Sequence, residues 1–417
     1  MRRKYHSKLI ADALGHPASS QLLCRLLEGY LNWWFRNLSR AAASTLKLFL
    51  FCNEAPCRAR LEQTFNFPAP AHEIHTREQP QFAAIQEASA ITPAAAIEKG
   101  ARWLASVQGA DGGWGQDGGN ASSIRTGERP ETNGNDVANT AVAALALLRA
   151  EKQYQSNVER ALAFILKRVE ASPADGLAIT DVQGTQIQRK LGPYIDTFLT
   201  SMLLAEVDGT FSNPALNARV RQALQKTVAK IENNQQRDGS WNIAGGWAPV
   251  LGTSLASRSL FQAKLKGVQV EDRVMKRADD YTVQAFNSSG VRGGASAEAA
   301  GVPLYQSAQA LEQLSRTEAD RRKNAKEIDA IHQQLASASF VDGFGSIGGE
   351  EFFSYLNVSD GLKRAGGEEW NKWHSETTQK IVRLQNNDGT WAGHHCITGR
   401  VAVTSAAILN LAVDRAK

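Results

Sequence analysis

Cysteine is scarce in this chain. Only Cys24, Cys52, Cys57 and Cys396 occur in 417 residues. No C-x-x-C spacing links them, which leaves no basis for a zinc ribbon or a dithiol redox motif. Cys52 and Cys57 are near enough in sequence to pair in an oxidising compartment, and free thiols fit them equally well. No apolar run reaches 18 residues, so no transmembrane helix is expected. Neither G-x-G-x-x-G nor a P-loop is present, so nucleotide binding lacks a motif. The net charge of +5 is the small difference between 47 basic and 42 acidic residues. These charges are interspersed, and no basic stripe with interleaved aromatics runs through the body of the chain. Nucleic acid is therefore not an expected partner. The basic exception is the N-terminus, with Arg2, Arg3, Lys4, Lys8, Arg25, Arg36 and Arg40, which reads as a solvated leader.

Residues 1–80 stand apart from the rest. The stretch AAASTLKLFLFC (41–52), preceded by Arg36 and Arg40, is weakly signal-like. It starts late, and no clean small-x-small cleavage site follows. Export stays open on this basis, beside a leader carrying one amphipathic helix over roughly 20–50. NFPAPAHEIHTREQP (66–80) lacks apolar periodicity and reads as a linker.

From residue ~90 onward the pattern is helical. Amphipathic segments fall at 93–108, 157–171, 213–235, 271–286, 320–336 and 368–385. More apolar segments fall between and after them, at 135–150, 196–207, 251–265, 302–314, 350–366 and 400–415. A helix with one apolar stripe suits an outer layer, and one apolar on most faces suits an inner layer. Six such pairs predict an all-α fold, an α6/α6 toroid over ~90–417. An open helical solenoid, which uses similar pairs, is the competing architecture.

Three turns share one spacing: QGADGGW (108–114), QQRDGSW (235–241) and QNNDGTW (385–391). Each is Q-x-x-D-G-x-W and each closes an amphipathic segment. Gly112, Gly239 and Gly389 allow the positive φ of a tight turn. Asp111, Asp238 and Asp388 are placed to bond their own backbone two residues on. Trp114, Trp241 and Trp391 offer large apolar faces to cover helix junctions. On this reading the three acids are structural. A weaker relative, VDGFGS, lies at 341–346.

This repeat resembles the QW-type turns of the prenyltransferase and squalene-oxidase repeat family, which includes protein prenyltransferase β subunits and triterpene cyclases. The resemblance covers about three quarters of the chain. It implies the terpenoid cyclase/protein prenyltransferase α/α toroid and an apolar, isoprenoid-like or lipid substrate held in a central cavity. It does not specify the reaction. The family's cyclases use a D-x-D-D acid, which is missing here. The nearest string, around Asp279 and Asp280, lies on an amphipathic segment and reads as an exposed acidic pair.

Family prenyltransferases hold zinc with Asp, Cys and His from the starts of two late inner helices, and the metal activates a substrate thiol. Here GHHCITGR precedes the last apolar segment and GGEE opens the one before it. The corresponding metal set is Glu351, His395 and Cys396, with Glu350 beside it. His394, His395 and Arg400 are the candidate catalytic residues, and Lys363 or Arg364 are further cations if they reach the same mouth. The family's D-x-C is absent from the fifth inner helix, so no ligand carries over directly. A purely structural use of these residues also stands: a buried Cys behaves as a small hydrophobe, and a His near a helix start can bond the backbone. Two other function classes compete with the isoprenoid reading. One is a non-catalytic lipid- or peptide-binding toroid. The other is a carbohydrate-active α6/α6 enzyme with Tyr355, Trp370 and Trp373 along a groove.

Overall fold

The structure is a computed structural model that describes residues 91–117, 134–243, 249–288, 301–343 and 347–415. All of these belong to the unit Gln86–Lys417. The expectations for residues 1–80, including the Cys52–Cys57 pairing and the signal-like stretch at 41–52, lie outside the described residues.

In chain order the α-helices are α1 Pro93–Ser106, α2 Val137–Ala150, α3 Gln155–Ala171, α4 Gln186–Leu191 and α5 Ile195–Val207. They continue with α6 Pro214–Asn233, α7 Pro249–Leu265, α8 Asp272–Ser288, α9 Gly301–Leu314 and α10 Glu318–Lys323. The last are α11 Ala325–Leu335, α12 Ala338–Val341, α13 Gly349–Ala365, α14 Gly367–Arg383 and α15 Arg400–Leu411.

Six of them, α2, α5, α7, α9, α13 and α15, pack side by side in that order, and α15 returns to pack on α2. That last contact distinguishes a closed ring from an open solenoid. The outer layer is α1, α3, α6, α8, α11 and α14, each packed on one or two members of the ring. Burial follows the two hydrophobic patterns. All 13 residues of α5 are buried, whereas α14 buries one stripe, Trp373, Thr377 and Ile381. One apolar face is enough for an outer helix, and an inner helix must be covered on every side.

The repeated turns lock the layers together. Trp114, Trp241 and Trp391 each donate the indole N–H to a carbonyl of the preceding outer helix, at Leu104, Ile231 and Ile381, over 2.7–2.8 Å. The backbone N–H of each Trp donates to a threonine hydroxyl of the following inner helix, Thr140, Thr253 or Thr404. Each Gln donates its amide across to the next outer helix in the ring: Gln108 to Asn157 O, Gln235 to Val274 O and Gln385 to Ala96 O. The Gln385 bond ties the last outer helix to the first. Asp111, Asp238 and Asp388 accept the N–H two residues on, so the three acids do the backbone work expected of them.

The helical reading departs from the structure in three places, one of them the unanticipated short helix α12. The segment expected as one helix over 320–336 is two, α10 and α11, separated by Asn324. The Asn324 amide bonds Leu314 O at the end of α9, which holds the break in place. Helix α4 was not anticipated, although Thr185 and Gln188 form a reciprocal capping box at its start, a T-x-x-Q signal readable in the sequence.

Candidate functional site

The starts of the inner helices gather at one end of the ring. There the loop 393–399, which leads into α15, lies against residues 347–349, which lead into α13. His394 donates its backbone N–H to Ile347 O at 2.9 Å, and Gly349 donates to Ile397 O at 3.0 Å. The approach is close because Gly348 has no side chain: a Cβ there would stand 2.6 Å from the His395 ring and 2.8 Å from Glu350 Oε2. Cys396 sits at φ 56°, the one non-glycine residue with positive φ among the described residues. An L-residue held there stores backbone strain of about 1 kcal/mol.

This clasp brings a carboxylate, an imidazole and a thiol together. Glu350, His395 and Cys396 each present one ligand-type atom within 4.8 Å of the others. Glu350 is fully buried. Its Oε2 accepts the N–H of Ile397 at 3.3 Å, and its Oε1 has no hydrogen-bond partner among the described residues. Burial, and then a hydrogen bond to Glu350, push the Cys396 thiol up to about 12.

Glu351, named from sequence as the carboxylate of this set, stands beside it. Its Oε2 accepts the N–H of Gly348 at 2.9 Å, closing the start of α13. Its Oε1 accepts the Tyr305 hydroxyl at 3.4 Å and lies 3.9 Å from His395 Nε2. Burial and the adjacent Glu350 charge push Glu351 up to about 8. Burial, followed by the Glu351 and Glu350 charges, holds the Tyr305 hydroxyl protonated well above the usual phenol range. Sequence spacing could not choose between Glu350 and Glu351, because adjacent helical residues point about 100° apart and the phase depends on where α13 starts.

The other candidates divide. His394 is exposed. Arg400 is held by Asp117, which accepts both its backbone N–H at 3.1 Å and its Nε–H at 3.2 Å. Its guanidinium also reaches Asp388 at 3.5 Å and lies 5.3 Å from the centroid of the Trp103 ring. These contacts pin the start of α15 to the loop after the first repeat turn. Lys363 and Arg364 do not serve this mouth, since they lie in the last turn of α13, at the opposite end of the ring. The cation whose charge reaches Cys396 is Lys190, on the unanticipated α4. That helix is bonded to the clasp through Gln186, which donates to the Thr398 hydroxyl and accepts the Thr398 and Gly399 N–H groups.

A second acidic feature occupies the starts of α2 and α5. Asp136 accepts the N–H and the side-chain amide of Asn139, both at 2.8 Å. Asp196 accepts Ala138 N–H at 3.1 Å and the Gln188 amide at 2.7 Å. Burial raises Asp136 to about 6, and burial plus the Asp136 charge raise Asp196 to about 7. Raised values make these weaker acids, the opposite of what alkene protonation requires, and every carboxylate oxygen already has a donor. Both are helix caps.

Asp279 differs from expectation. It is half-buried and accepts the Gln313 amide at 2.7 Å, while Asp280 is exposed and paired with Lys276. Of the three aromatics suggested for a groove, Tyr355 and Trp373 are buried in the junction between α13 and α14, where their rings meet edge to face. Trp370 stacks on His374.

Residues 80–177 match the family model of the squalene-hopene cyclase C-terminal domain. The match spans α1, the first repeat turn, α2 and α3, and it supports the terpenoid cyclase/prenyltransferase-like family to which the repeat turns point. No curated protein matches the chain.

Proposed function

We propose that this toroid takes an isoprenoid-like or other apolar substrate into its interior and acts on it at a zinc centre formed by Glu350, His395 and Cys396. One observation carries this reading: a fully buried carboxylate with an unsatisfied oxygen meets an imidazole and a thiol at a single mouth of the ring. Carboxylate, imidazole and thiolate are ligands that zinc accepts in one site. The zinc, when bound, supplies Lewis acidity and lowers the pKa of a thiol or water placed on it.

The chain's own residues do the rest. Cys396 would give up its proton to hold the metal as thiolate, and Glu350, whose Oε1 has no hydrogen-bond partner among the described residues, would offer a carboxylate ligand. Glu351 and Tyr305 sit behind the centre as a hydrogen-bonded pair next to His395. In the metal-free protein, burial and the Glu350 charge hold Glu351 up to about 8. Lys190 lends positive potential at the same mouth, suited to a substrate that carries an acidic group. The inner helices are buried over most of their length, and buried apolar surface of this kind favours an apolar ligand.

Metal analysis of the purified full chain tests this reading. About one zinc per chain is expected, falling to background in Cys396→Ala. Cobalt substitution should give a thiolate-to-metal charge-transfer band that is lost in the same variant. A wild-type chain that holds neither metal in stoichiometric amount would overturn the zinc reading.

A further inference from the structure

The opposite end of the ring, where the inner helices finish, holds a pocket of about 270 Å³. Its lining comes from the ends of α2, α5, α7, α9 and α13 and is densely charged. Arg149, Arg258, Lys266, Lys363 and Arg364 supply five cations, against three carboxylates from Glu206, Glu312 and Asp360.

The carboxylates are fully engaged. Arg149 grips Glu206 with two parallel bonds, Nε to Oε1 at 2.8 Å and Nη2 to Oε2 at 2.7 Å. Arg258 pairs with Asp360 and also donates to Asn357 Oδ1 at 3.1 Å. Glu312 is held from behind the pocket by Arg316 at 2.8 Å and from the α13 side by Arg364 at 3.3 Å. Burial opposes a charge on Glu312, yet these arginines keep its carboxyl below the usual range.

Helix C-termini attract cations, and part of the surplus is accounted for that way. Lys363 donates to Val413 O at 2.7 Å, and Arg364 Nη2 donates to Glu312 O at 2.7 Å. Two donors remain. Arg149 Nη1 and Arg364 Nε are buried and have no hydrogen-bond acceptor among the described residues. The Arg149 side chain is only 3% exposed. Buried donors on charged groups strongly favour an acceptor. Phe261 and Leu265 add apolar wall to the same pocket, and Leu265 is 69% exposed.

We propose that this end of the toroid binds a small organic oxyanion, a carboxylate or a phosphate monoester. The head group takes the spare donors of Arg149 and Arg364, and the apolar part rests on Phe261 and Leu265. A volume near 270 Å³ suits a ligand the size of one substituted ring. The site is separate from the Glu350–His395–Cys396 mouth, so its occupancy is independent of zinc.

The test is calorimetric titration of the full chain with benzoate and with phenyl phosphate, at ionic strength held constant with chloride. Saturable binding of either near one per chain is expected, and the ligand that binds identifies the head group. Arg149→Gln combined with Glu206→Gln removes the donor and its partner together and should weaken binding at least about tenfold. Gln262 lines the pocket, and its Oε1 has no hydrogen-bond partner among the described residues. Gln262→Glu therefore adds negative charge there without adding volume, and should weaken binding similarly even if the double variant fails to fold. A chelator should leave the affinity unchanged. Absence of saturable binding by both ligands, or equal affinity in wild type and Gln262→Glu, would overturn the proposal.

Discussion

Asp196 Oδ1 accepts the backbone N–H of Ala138 at 3.1 Å, so a carboxylate that opens one inner helix also caps the start of its neighbour. Asp136 caps the same α2 terminus from its own chain position. Two carboxylates thus share one buried helix start; burial raises both, and the Asp136 charge raises Asp196 further.

Both folded-state values lie above the ordinary carboxylate value of 3.8, Asp136 at about 6 and Asp196 at about 7. The folded protein therefore keeps protons that the unfolded chain releases above about pH 4. The stabilisation this brings is complete below that pH and is lost as pH rises through 6 and 7. Melting measured between pH 5 and 8 should show declining stability over this window. Asp196→Asn should lower stability at pH 5 by about 1–2 kcal/mol, since Gln188 loses its acceptor, and should flatten the decline. An unchanged slope in the variant would refute the assignment.

Gly348 is the position where a single methyl would separate the clasp from the rest of the fold. Its backbone lies at φ −85°, so alanine meets no conformational barrier there, but the new Cβ would intrude on His395 and Glu350. Gly348→Ala should lose most of its zinc while keeping a cooperative melt. Cys396→Gly should also lose zinc, yet melt higher than Cys396→Ala by an amount equivalent to about 1 kcal/mol, because only glycine adopts φ 56° without strain.

Arg400 provides a contrast. Its bonds to Asp117 and Asp388 hold the start of α15 in place. Arg400→Ala should cost about 1–3 kcal/mol in denaturant unfolding, since buried Asp117 loses its guanidinium partner and keeps only the backbone N–H of residue 400. Zinc content should stay at the wild-type level. A loss of metal without a loss of stability would instead place Arg400 at the centre itself.

Ring closure can be tested at Gln385. Its amide donates at 2.9 Å to both Gly389 O and Ala96 O. Gln385→Ala should cost about 1–2 kcal/mol and speed hydrogen exchange at the start of α1, nearly 300 residues away in sequence. An open solenoid would show no such remote effect.

Much of the molecule was legible in its residues. The alternation of striped and uniformly apolar helices determined two layers, because burial on one face or on all faces leaves different periodicities. The Q-x-x-D-G-x-W turns were readable for a similar reason: Gly112, Gly239 and Gly389, at φ 90–94°, satisfy a local backbone need. Even α4 carried its capping signal. The segments GHHC and GGEE were visible as an excess over this architecture.

Only the tertiary structure decided how that excess is arranged. Whether Glu350 or Glu351 joins His395 and Cys396 depends on the phase of α13 and on the missing side chain at Gly348. Lys363 and Arg364 could not be assigned to an end of the ring until the inner helices were seen to run parallel, and this moved them from one mouth to the other. The spare donors of Arg149 and Arg364 had no sequence signature at all. Whether a buried cation is satisfied is settled by residues such as Glu206 and Glu312, brought to it from 50 or more positions away in the chain by the packing of neighbouring inner helices.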